Sequence, residues 1–333
     1  MVAICTNLFF SLHARIKKMT KSTKKIGVVI PTYERPKNRQ SENDFVIEAV
    51  QSVLDQTIQV NDIVIAIDGR STYLKNKLST LFPHEPIKVL ESNKKVGGSQ
   101  TRNLAFDNLN PADELVAFLD DDDKWLPEKI KYQLVACEKE KDTNFFIFTN
   151  VIYDECGGDK IRPINQIASN ENAANFIFKR DGYITTSSLL IPCETFAALR
   201  FTDGLKKHQD WDLILRASLI KHTRMVQISM PLVWYRMQYP GRKNSVSSVV
   251  DWHFSRNWMR QFKKLVDRDV IESFDKNQVL PGFIDDHKMN KLEKFTSYLS
   301  ISRDFKFGVF NSYLRKNVFP IFISRFQRRK ING

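Results

Sequence analysis

Short apolar runs alternate with amphipathic stretches through the first half of the chain. Residues 26–30 form a continuous apolar run rich in β-branched side chains, which is typical of a strand buried on both faces. Pro31 is expected to end this strand, because proline has no N–H to donate to a neighbouring strand. A helix that begins at Asn43 or Asp44 and a second buried strand at 63–67 follow. This strand, helix, strand order predicts a parallel sheet.

The same alternation continues to about residue 140 and predicts a doubly wound α/β fold. Its further elements are a strand at 87–90, a helix at 99–109, a strand at 115–119 and a helix that opens with Pro127 and ends near Lys139. The second half is less regular. Its predicted elements are strands at 145–148, 186–191 and 225–228, a helix at 210–220 and amphipathic helices from Trp252 onward. We therefore expect a mostly parallel sheet flanked by helices, followed by a mainly helical extension.

The composition is that of a globular protein. The chain has 333 residues, 42% of them hydrophobic, which is enough to bury one large core or two smaller ones. No apolar run approaches the roughly 18 residues that a membrane-spanning helix needs, so we expect no such helix. The four cysteines are scattered without a CxxC pair, which argues against a zinc site or a disulfide framework. Their scatter indicates a reducing, cytoplasmic environment.

The net charge of +13 is concentrated at the two ends of the chain. Residues 1–25 contain six Lys/Arg and no acid, residues 301–333 contain eight Lys/Arg and one acid, and the body between them is balanced. Basic ends can bind nucleic acid. Aromatic and aliphatic residues interleave with the charges at 317–330, however, which fits an anionic membrane surface at least as well. A solvated tail is the third interpretation.

The charge pattern and the elements together predict the domain organisation. We expect an N-terminal extension at 1–24, a main domain at 25–240 and a helical, basic C-terminal region at 241–333. The short apolar stretch at 4–12 is a poor secretory signal, because basic residues follow it instead of preceding it.

Candidate chemistry lies in the loops that follow the predicted strands. Ligands of open parallel sheets bind beyond the carboxyl ends of the strands. The loops in question are 31–35, 68–71, 93–102 and 120–125. They bring acids, a tyrosine and arginines to one edge of the sheet, where we expect a binding site.

Four consecutive aspartates, residues 120–123, come directly after the strand at 115–119. Four carboxylates in one loop repel one another and need either solvent or a cation. Mg²⁺ or Mn²⁺, held by few protein oxygens together with substrate phosphates, would neutralise them at such a position. A solvated acidic turn is the simpler alternative.

The segment 96–103 contains a Gly-Gly pair before a helix, so its N–H groups and Arg102 could face a phosphate. It matches neither GxGxxG nor GxxxxGK[ST], which argues against an NAD-binding unit and a P-loop.

A second dense cluster lies at 207–216. Asp210 is at the start of a predicted helix, where a carboxylate can cap the helix or act as a base. Trp211 can stack on a sugar ring or fill the core. For His208 we favour an orienting role over that of a ligand.

Together these motifs resemble the inverting nucleotide-sugar glycosyltransferases of family 2, which have the GT-A fold. The resemblance covers about residues 25–240. Its parts, in chain order, are Val29-Ile-Pro-Thr-Tyr-Glu-Arg35, Asp68, Gly97-Gly-Ser-Gln-Thr-Arg-Asn103, Phe118-Leu-Asp-Asp-Asp-Asp-Lys-Trp125 and His208-Gln-Asp-Trp-Asp212. Five motifs in this order are far more specific than any one of them.

The resemblance implies a role for each matching residue. The residues at the nucleotide sugar would be Pro31, Thr32, Tyr33, Arg35, Asp68, Arg102, Asp120 and Asp121. Asp122, with Asp120, would hold Mn²⁺ or Mg²⁺. Asp210 would be the catalytic base, and Trp211 would contact the acceptor.

The implied activity is inverting transfer of a hexose or N-acetylhexosamine from a nucleotide sugar, with UDP the commonest donor nucleotide of the family. The acceptor would be a saccharide or lipid-linked saccharide of a bacterial surface glycan, such as lipopolysaccharide core or capsule. The basic C-terminal region would then hold the enzyme on the inner face of the cytoplasmic membrane, in contact with anionic lipid.

Two other interpretations of the residues are a nucleotidyltransferase and a basic nucleic-acid-binding module. A nucleotidyltransferase would be expected to carry an N-terminal Gly-rich, basic phosphate loop, which the sequence lacks. An acidic sheet edge would repel a nucleic-acid backbone unless a metal is bound, so we expect no nucleic-acid partner.

Overall fold

The computed structural model describes residues 24–154, 158–237 and 251–286, together with residues 289, 293, 296, 297, 300 and 301. The predicted N-terminal extension up to residue 23 and the basic residues 302–333 lie outside the described residues. Contacts divide the chain into two compact units. The first comprises Met1–Ala173 with Asp181–Ser245, and the second comprises Ala174–Arg180 with Val246–Gly333.

The first unit is built on one mixed sheet. Its described strands are β1 (Ile26–Thr32), β2 (Asp62–Ile67), β3 (Ile87–Glu91), β4 (Leu115–Phe118), β5 (Lys124–Trp125), β6 (Phe145–Tyr153), β7 (Lys160–Arg162), β8 (Leu190–Pro192) and β9 (Arg224–Tyr235). Their order is β3-β2-β1-β4-β8-β6-β9-β5, and β7 pairs with β6. Strands β1 to β4 are mutually parallel, as are β6 and β9, whereas β5, β7 and β8 run antiparallel to their partners. The predicted α/β fold with a mostly parallel sheet is confirmed.

Helices cover this sheet and also form the second unit. The described α-helices are α1 (Phe45–Leu54), α2 (Thr72–Leu81), α3 (Gly98–Phe106), α4 (Lys129–Cys137), α5 (Ala173–Lys179), α6 (Cys193–Leu199), α7 (Gln209–Leu215), α8 (Trp252–Arg260), α9 (Arg268–Phe274) and α10 (Leu280–Asp285). Among the described residues, none of the helices combines the length and the apolar character that crossing a lipid bilayer requires.

A single buried cluster joins β1, β2 and α1. The cluster includes Val28, Ile30, Val46, Ala49, Val50, Val53, Ile63 and Ile65. These side chains have exposed fractions of 0–1%, which explains why both strands contain so few polar positions. The rigid layer fixes where the carboxyl ends of the strands, and therefore the loops of the predicted site, lie.

Strand β1 includes the proline that was expected to end it and continues one residue further, to Thr32. The Thr32 carbonyl accepts a hydrogen bond from the Asp68 N–H, so the backbone of Thr32 faces β2. By alternation Pro31 faces β4, where pairing already stops at Val29. Proline is therefore tolerated inside β1, because at position 31 no β4 residue pairs with the backbone and no N–H donor is required.

Three further expectations differ from the structure. Residues 186–191 do not form one strand, because Thr186–Ser188 is a 3₁₀ turn and β8 begins only at Leu190. The helix α2 was not predicted, although Ser71 caps it by accepting a hydrogen bond from the Leu74 N–H at 3.1 Å. The predicted helix at 210–220 is α7 followed by a π-turn at Arg216–Ile220.

The second unit is helical in its described part. Its aromatic residues pack around Phe274, whose ring lies 5.2 Å from that of Phe178 and 5.7 Å from that of Trp258. Trp258 and Phe274 are fully buried. Large aromatic side chains thus give this short helical unit a core of its own.

Candidate active site

The four aspartates at 120–123 are divided between the interior and the surface. Asp121 and Asp123 are buried, with exposed fractions of 7% and 2%, whereas Asp120 and Asp122 are partly exposed. Strand β4 precedes the loop and β5, which pairs with β9, follows it, so the sheet fixes both ends. Two carboxylates of the four therefore remain accessible at the sheet edge.

Asp121 is anchored by the loop that follows β1. Its two carboxylate oxygens form an ion pair with Arg35, with Nη2 2.8 Å from Oδ1, and the Thr32 hydroxyl donates to Oδ2 at 2.5 Å. Arg35 also donates to the Tyr33 carbonyl at 3.0 Å, and its guanidinium lies 4.2 Å from the centre of the Tyr33 ring. Thr32, Tyr33 and Arg35, which were predicted to bind the nucleotide sugar, therefore form one network with Asp121.

Asp123 is anchored from the opposite side. Its Oδ2 accepts a hydrogen bond from the Ser187 hydroxyl at 2.6 Å, and its Oδ1 accepts one from the Arg236 N–H at 3.1 Å. Burial, together with the nearby charges of Asp122 and Asp120, raises the pKa of Asp123 well above its usual value. Asp123 is therefore tied into the fold and does not face the sheet edge.

Arg236, which follows β9, holds the acidic loop against α1. Its Nε donates to the Asp122 carbonyl at 3.0 Å, and its Nη2 donates to Glu48 Oε2 at 2.6 Å. The guanidinium also lies 4.2 Å from the centre of the Phe45 ring. A single arginine therefore links the loop to a helix on the sheet surface.

Asp68 fixes the glycine-containing loop in front of α3. Its Oδ1 accepts from the Val96 N–H at 2.6 Å, and its Oδ2 accepts from the Gly97 N–H at 3.1 Å. Gly97 has a φ of +86°, a conformation that side-chain-bearing residues rarely adopt. The carboxylate after β2 and the glycine before α3 thus define each other's positions.

Arg102, on α3, connects the acidic loop to the start of α7. Its Nη2 lies 2.5 Å from Asp120 Oδ1, and its Nη1 donates to Gln209 Oε1 at 2.9 Å. A Cβ added to Gly98 would lie 2.9 Å from both Arg102 Nη1 and Gln209 Oε1. The absence of a side chain at Gly98 therefore leaves room for the hydrogen bond between Arg102 and Gln209.

Asp210 lies in the first turn of α7, next to Gln209. Its Oδ1 accepts a hydrogen bond from the Trp211 N–H at 2.8 Å. The pKa of Asp210 is raised to about 6, chiefly by burial and also by the Asp120 charge, against the opposing effects of the Trp211 hydrogen bond and the Arg102 charge. The charges of Asp120 and Arg102 therefore both influence the pKa of this carboxyl group, which changes its protonation state near pH 6.

The residues on either side of Asp210 are held by a ring stack. The His208 and Trp211 rings are 4.9 Å apart and nearly parallel. His208 is buried with a φ of +65°, and burial followed by the Lys207 charge lowers its pKa to about 3. A neutral imidazole thus covers one face of Trp211, which agrees with an orienting role for His208.

The structure brings the predicted residues together as two groups joined at the acidic loop. Thr32 and Arg35 bind Asp121 directly, Tyr33 is linked to it through Arg35, and Pro31 is buried within β1. Arg102 joins Asp120 to the start of α7, where Asp210 and Trp211 lie, and Asp68 fixes the loop that leads into α3. In the part of the chain that the structure describes, no group of three or more His, Cys, Asp or Glu is arranged to hold a metal ion by itself.

Sequence reasoning missed three residues that support this edge. Ser187 and Arg236 bind the acidic loop, and the fully buried Lys129 lies beneath it, with Nζ 3.9 Å from the centre of the Trp125 ring. Burial lowers the pKa of Lys129 well below its usual value. No feature of the sequence distinguishes Lys129 from Lys131 in the same helix, and none points to Ser187.

The sequence profile named Glycosyl transferase family 2 matches residues 27–203, more than half of the chain. The chain belongs to glycosyl transferase family 2. The enzyme class that the motifs implied is therefore confirmed, and the protein is a glycosyltransferase. The nucleotidyltransferase and nucleic-acid-binding interpretations have no support from this assignment.

Individual relatives agree with the family assignment. The chain is 28% identical over 255 residues to the amylovoran biosynthesis glycosyltransferase AmsB of Erwinia amylovora, covering 73% of this chain and 80% of AmsB. It is 24% identical over 264 residues to the glycosyltransferase GlyG of Streptococcus pneumoniae, covering 75% of this chain and 78% of GlyG.

A solved structure supports the fold. Residues 1–349 of S. aureus TarS in complex with UDP-GlcNAc superimpose with a TM-score of 0.62 at 13% sequence identity. The superposition covers 85% of this chain and 82% of the TarS chain. The GT-A fold that the resemblance implied is confirmed.

Proposed function

We propose that the enzyme transfers a hexose or N-acetylhexosamine from a UDP-sugar to a hydroxyl group of a bacterial surface glycan, with inversion at the anomeric carbon. The observation that carries this proposal is the placement of Asp210, a carboxyl group whose pKa is raised by burial to about 6, within electrostatic range of Asp120 and Arg102. The name of AmsB, which refers to amylovoran biosynthesis, supports a polysaccharide product, and the TarS complex with UDP-GlcNAc supports the donor class.

The donor nucleotide is proposed to lie over the ends of β1 and β2. Tyr33 would border the nucleobase and ribose, because it follows β1 at this edge of the sheet. The Arg35 guanidinium and Lys95 Nζ lie 4.2 Å and 5.6 Å from the centre of its ring. Asp68 would contact the base. The carboxylate oxygens of Asp121 are engaged by Arg35 and Thr32, so we assign the ribose contact to the partly exposed Asp120.

The transfer step is proposed to use Asp210 as the general base. The carboxylate takes the proton of the acceptor hydroxyl as that oxygen forms a bond to the anomeric carbon. The bond from the anomeric carbon to the diphosphate oxygen breaks, and its electron pair leaves with the nucleoside diphosphate. Attack and departure on opposite faces of the sugar invert its configuration. The Arg102 guanidinium, at the same edge, offsets the charge that develops on the diphosphate.

Asp120 and Asp122 would hold a divalent cation, Mn²⁺ or Mg²⁺. The donor set fits, because both are hard carboxylate oxygens in a loop that concentrates negative charge, and both are partly exposed. Such cations are commonly held by one or two carboxylates together with substrate phosphates, so a cluster of three protein ligands is not needed. When bound, the cation would act as a Lewis acid towards the diphosphate.

The acceptor is proposed to approach from the side of Trp211. This residue adjoins Asp210, and its stack on His208 holds the indole in one orientation. An aromatic face next to the base is a common surface for a saccharide ring. A saccharide or lipid-linked saccharide of lipopolysaccharide core or capsule would meet this requirement.

The donor proposal predicts which ligands stabilise the protein. At 100 times its Kd, a UDP-sugar should add about 2.7 kcal/mol to the free energy of unfolding, which corresponds to a rise in Tm of roughly 4 °C for a chain of 333 residues. We expect this rise with Mn²⁺ present and much less of it in EDTA. Asp122→Asn should lose most of the Mn²⁺-dependent part, and a panel of UDP-, GDP- and dTDP-sugars read by thermal shift tests this.

The matched control is Asp55→Asn, because Asp55 is exposed at the end of α1 and accepts a hydrogen bond from Gln51. This variant should respond to the sugars like the parent protein. If no nucleotide sugar changes the Tm of the parent protein, with or without Mn²⁺, the proposed function is wrong.

The C-terminal basic region is proposed to hold the enzyme on the cytoplasmic face of an anionic membrane. Each basic residue near such a surface contributes about 1 kcal/mol of attraction. Replacing Arg325, Arg328, Arg329 and Lys330 with glutamine should therefore weaken binding to vesicles that contain phosphatidylglycerol by at least tenfold, as measured by co-sedimentation.

The control variant replaces the exposed Lys139, Lys141, Lys206 and Lys221 with glutamine, which gives the same total charge. It should keep nearly all of the vesicle binding. Equal loss of binding in the two variants would mean that net charge, and not the C-terminal region, directs the protein to the membrane.

A further inference from the structure

The hydroxyl group of Ser187 joins the two ends of the acidic loop. It accepts a hydrogen bond from the Asp120 N–H at 3.1 Å and donates one to Asp123 Oδ2 at 2.6 Å. The loop closes on itself through a further bond from the Asp123 N–H to the Asp120 carbonyl at 3.1 Å. One oxygen atom therefore fixes both the first and the last of the four aspartates.

The position of Ser187 does not depend on the acidic loop alone. Its carbonyl accepts a hydrogen bond from Trp125 Nε1 at 2.9 Å. The carbonyl of the next residue, Ser188, accepts one from Gln133 Nε2 at 2.9 Å, and Gln133 Oε1 accepts one from the buried Lys129 Nζ at 2.8 Å. The hydrogen bonds from Trp125 and Gln133 fix the backbone of the 3₁₀ turn, and therefore also the position of the Ser187 hydroxyl.

This location controls which carboxylates face outward. The Ser187 hydroxyl turns the Asp123 side chain into the protein, and the Arg35 ion pair does the same for Asp121. Asp120 and Asp122, which alternate with them, are left at the surface. Without the serine hydroxyl, the partly buried Asp120 N–H and the buried Asp123 carboxylate would each lose a hydrogen-bond partner, and we expect the turn to change shape.

We propose that Ser187 is a positioning residue for the acidic loop, whose hydroxyl sets Asp120 and Asp122 at the spacing that receives a divalent cation and the diphosphate of the donor. This inference rests on the proposed function. Residues that orient the ligands of a metal from behind typically change metal affinity or activity 10- to 100-fold when they are replaced. Ser187 makes no contact with substrate in this scheme and acts only through the two aspartates.

The test compares Ser187→Ala with Ser188→Ala. Both serines are fully buried in the same turn, but the Ser188 hydroxyl donates to the Thr185 carbonyl and does not reach the acidic loop. Binding of UDP is measured by calorimetry on the intact protein, once with Mn²⁺ and once with EDTA. Circular dichroism and Tm establish that each variant is folded.

We expect Ser187→Ala to raise the Kd for UDP in Mn²⁺ about 10- to 100-fold. In EDTA the same variant should bind UDP within about threefold of the parent protein. Ser188→Ala should lie within about threefold of the parent under both conditions, even if its Tm falls. A loss that depends on Mn²⁺ is the signature of a misplaced cation site, which a purely structural role would not produce.

Two results would overturn the inference, and they distinguish its failure from that of the proposed function. If the two alanine variants show the same Kd for UDP in Mn²⁺, Ser187 has no special role although the proposed function stands. If the parent protein binds UDP in neither condition, the proposed function fails and this inference fails with it. Should Ser187→Ala not yield folded protein, Ser187→Cys takes its place with the same expected direction, because a thiol is a weak donor and acceptor.

Discussion

Replacing Asp210 with asparagine is expected to slow sugar transfer severely while leaving binding of the nucleotide sugar intact. Asparagine has the same shape and can keep the hydrogen bond from the Trp211 N–H, but it cannot take up a proton from the acceptor. General-base catalysis contributes a factor of about 10² to 10⁴, so we expect kcat to fall roughly 1,000-fold. The Kd for the UDP-sugar, measured by calorimetry, should stay within about threefold of the parent value.

The same carboxyl group predicts the pH dependence of the reaction. The base must be deprotonated, and burial raises the pKa of Asp210 from the usual value of 3.8 to about 6. As the pH falls through about 6, the protonated fraction rises, so kcat/KM should decrease tenfold per pH unit below that value. Residual activity of Asp210→Asn should lack this acid limb, because its side chain does not titrate.

Asp212→Asn provides the matched control two positions along the same helix. The Asp212 carboxylate accepts hydrogen bonds from Thr202 at 2.6 Å and from Arg216 Nε at 2.8 Å, so its work is structural. We expect this variant to lower Tm while turnover per folded molecule stays near the parent value. Transfer at the parent rate by Asp210→Asn would show that another group is the base.

The predictable part of the fold is the part in which burial dictates composition. Residues 26–30 and 63–67 are apolar at successive positions because the side chains on both faces of these strands are buried, and the structure places β1 and β2 there. Helices α1 and α3 both contact the two strands. The end of β1 was not predictable, because it depends on whether β4 still pairs beside Pro31. Local residue preference could not contain that information.

The candidate site was predictable to the level of loops but not of individual carboxylates. The sequence shows four consecutive aspartates, and only the structure distinguishes the buried Asp121 and Asp123 from the partly exposed Asp120 and Asp122. The distinction comes from partners that are distant in the chain. Arg35 is 86 residues from Asp121, and Ser187 is 64 residues from Asp123. No spacing rule relates residues that meet only through the order of strands in a sheet.

Arg102→Gln is expected to have the second largest effect on activity. The arginine forms an ion pair with Asp120 and donates a hydrogen bond to Gln209 at the start of α7, and glutamine can replace a hydrogen bond but not the charge. Losing one group that stabilises developing negative charge typically lowers the rate 10²- to 10³-fold, and we expect kcat/KM to fall in that range. Because the Arg102 charge opposes the raised pKa of Asp210, its removal should also move the acid limb of the pH profile above 6.

Arg200→Gln is the control that separates this effect from the loss of any surface arginine. Arg200 also pairs with an aspartate, Asp107, at 2.6 Å and lies 5.4 Å from the centre of the Phe106 ring, much as Arg102 lies 5.3 Å from that of Phe201. It does not contact the acidic loop, so this variant should keep the parent kcat/KM and the parent pH profile. If both variants lose activity equally, the charge of Arg102 has no special role in the reaction. If only Arg102→Gln loses activity and its acid limb moves upward, the arginine acts on the leaving group and on the protonation of Asp210 together.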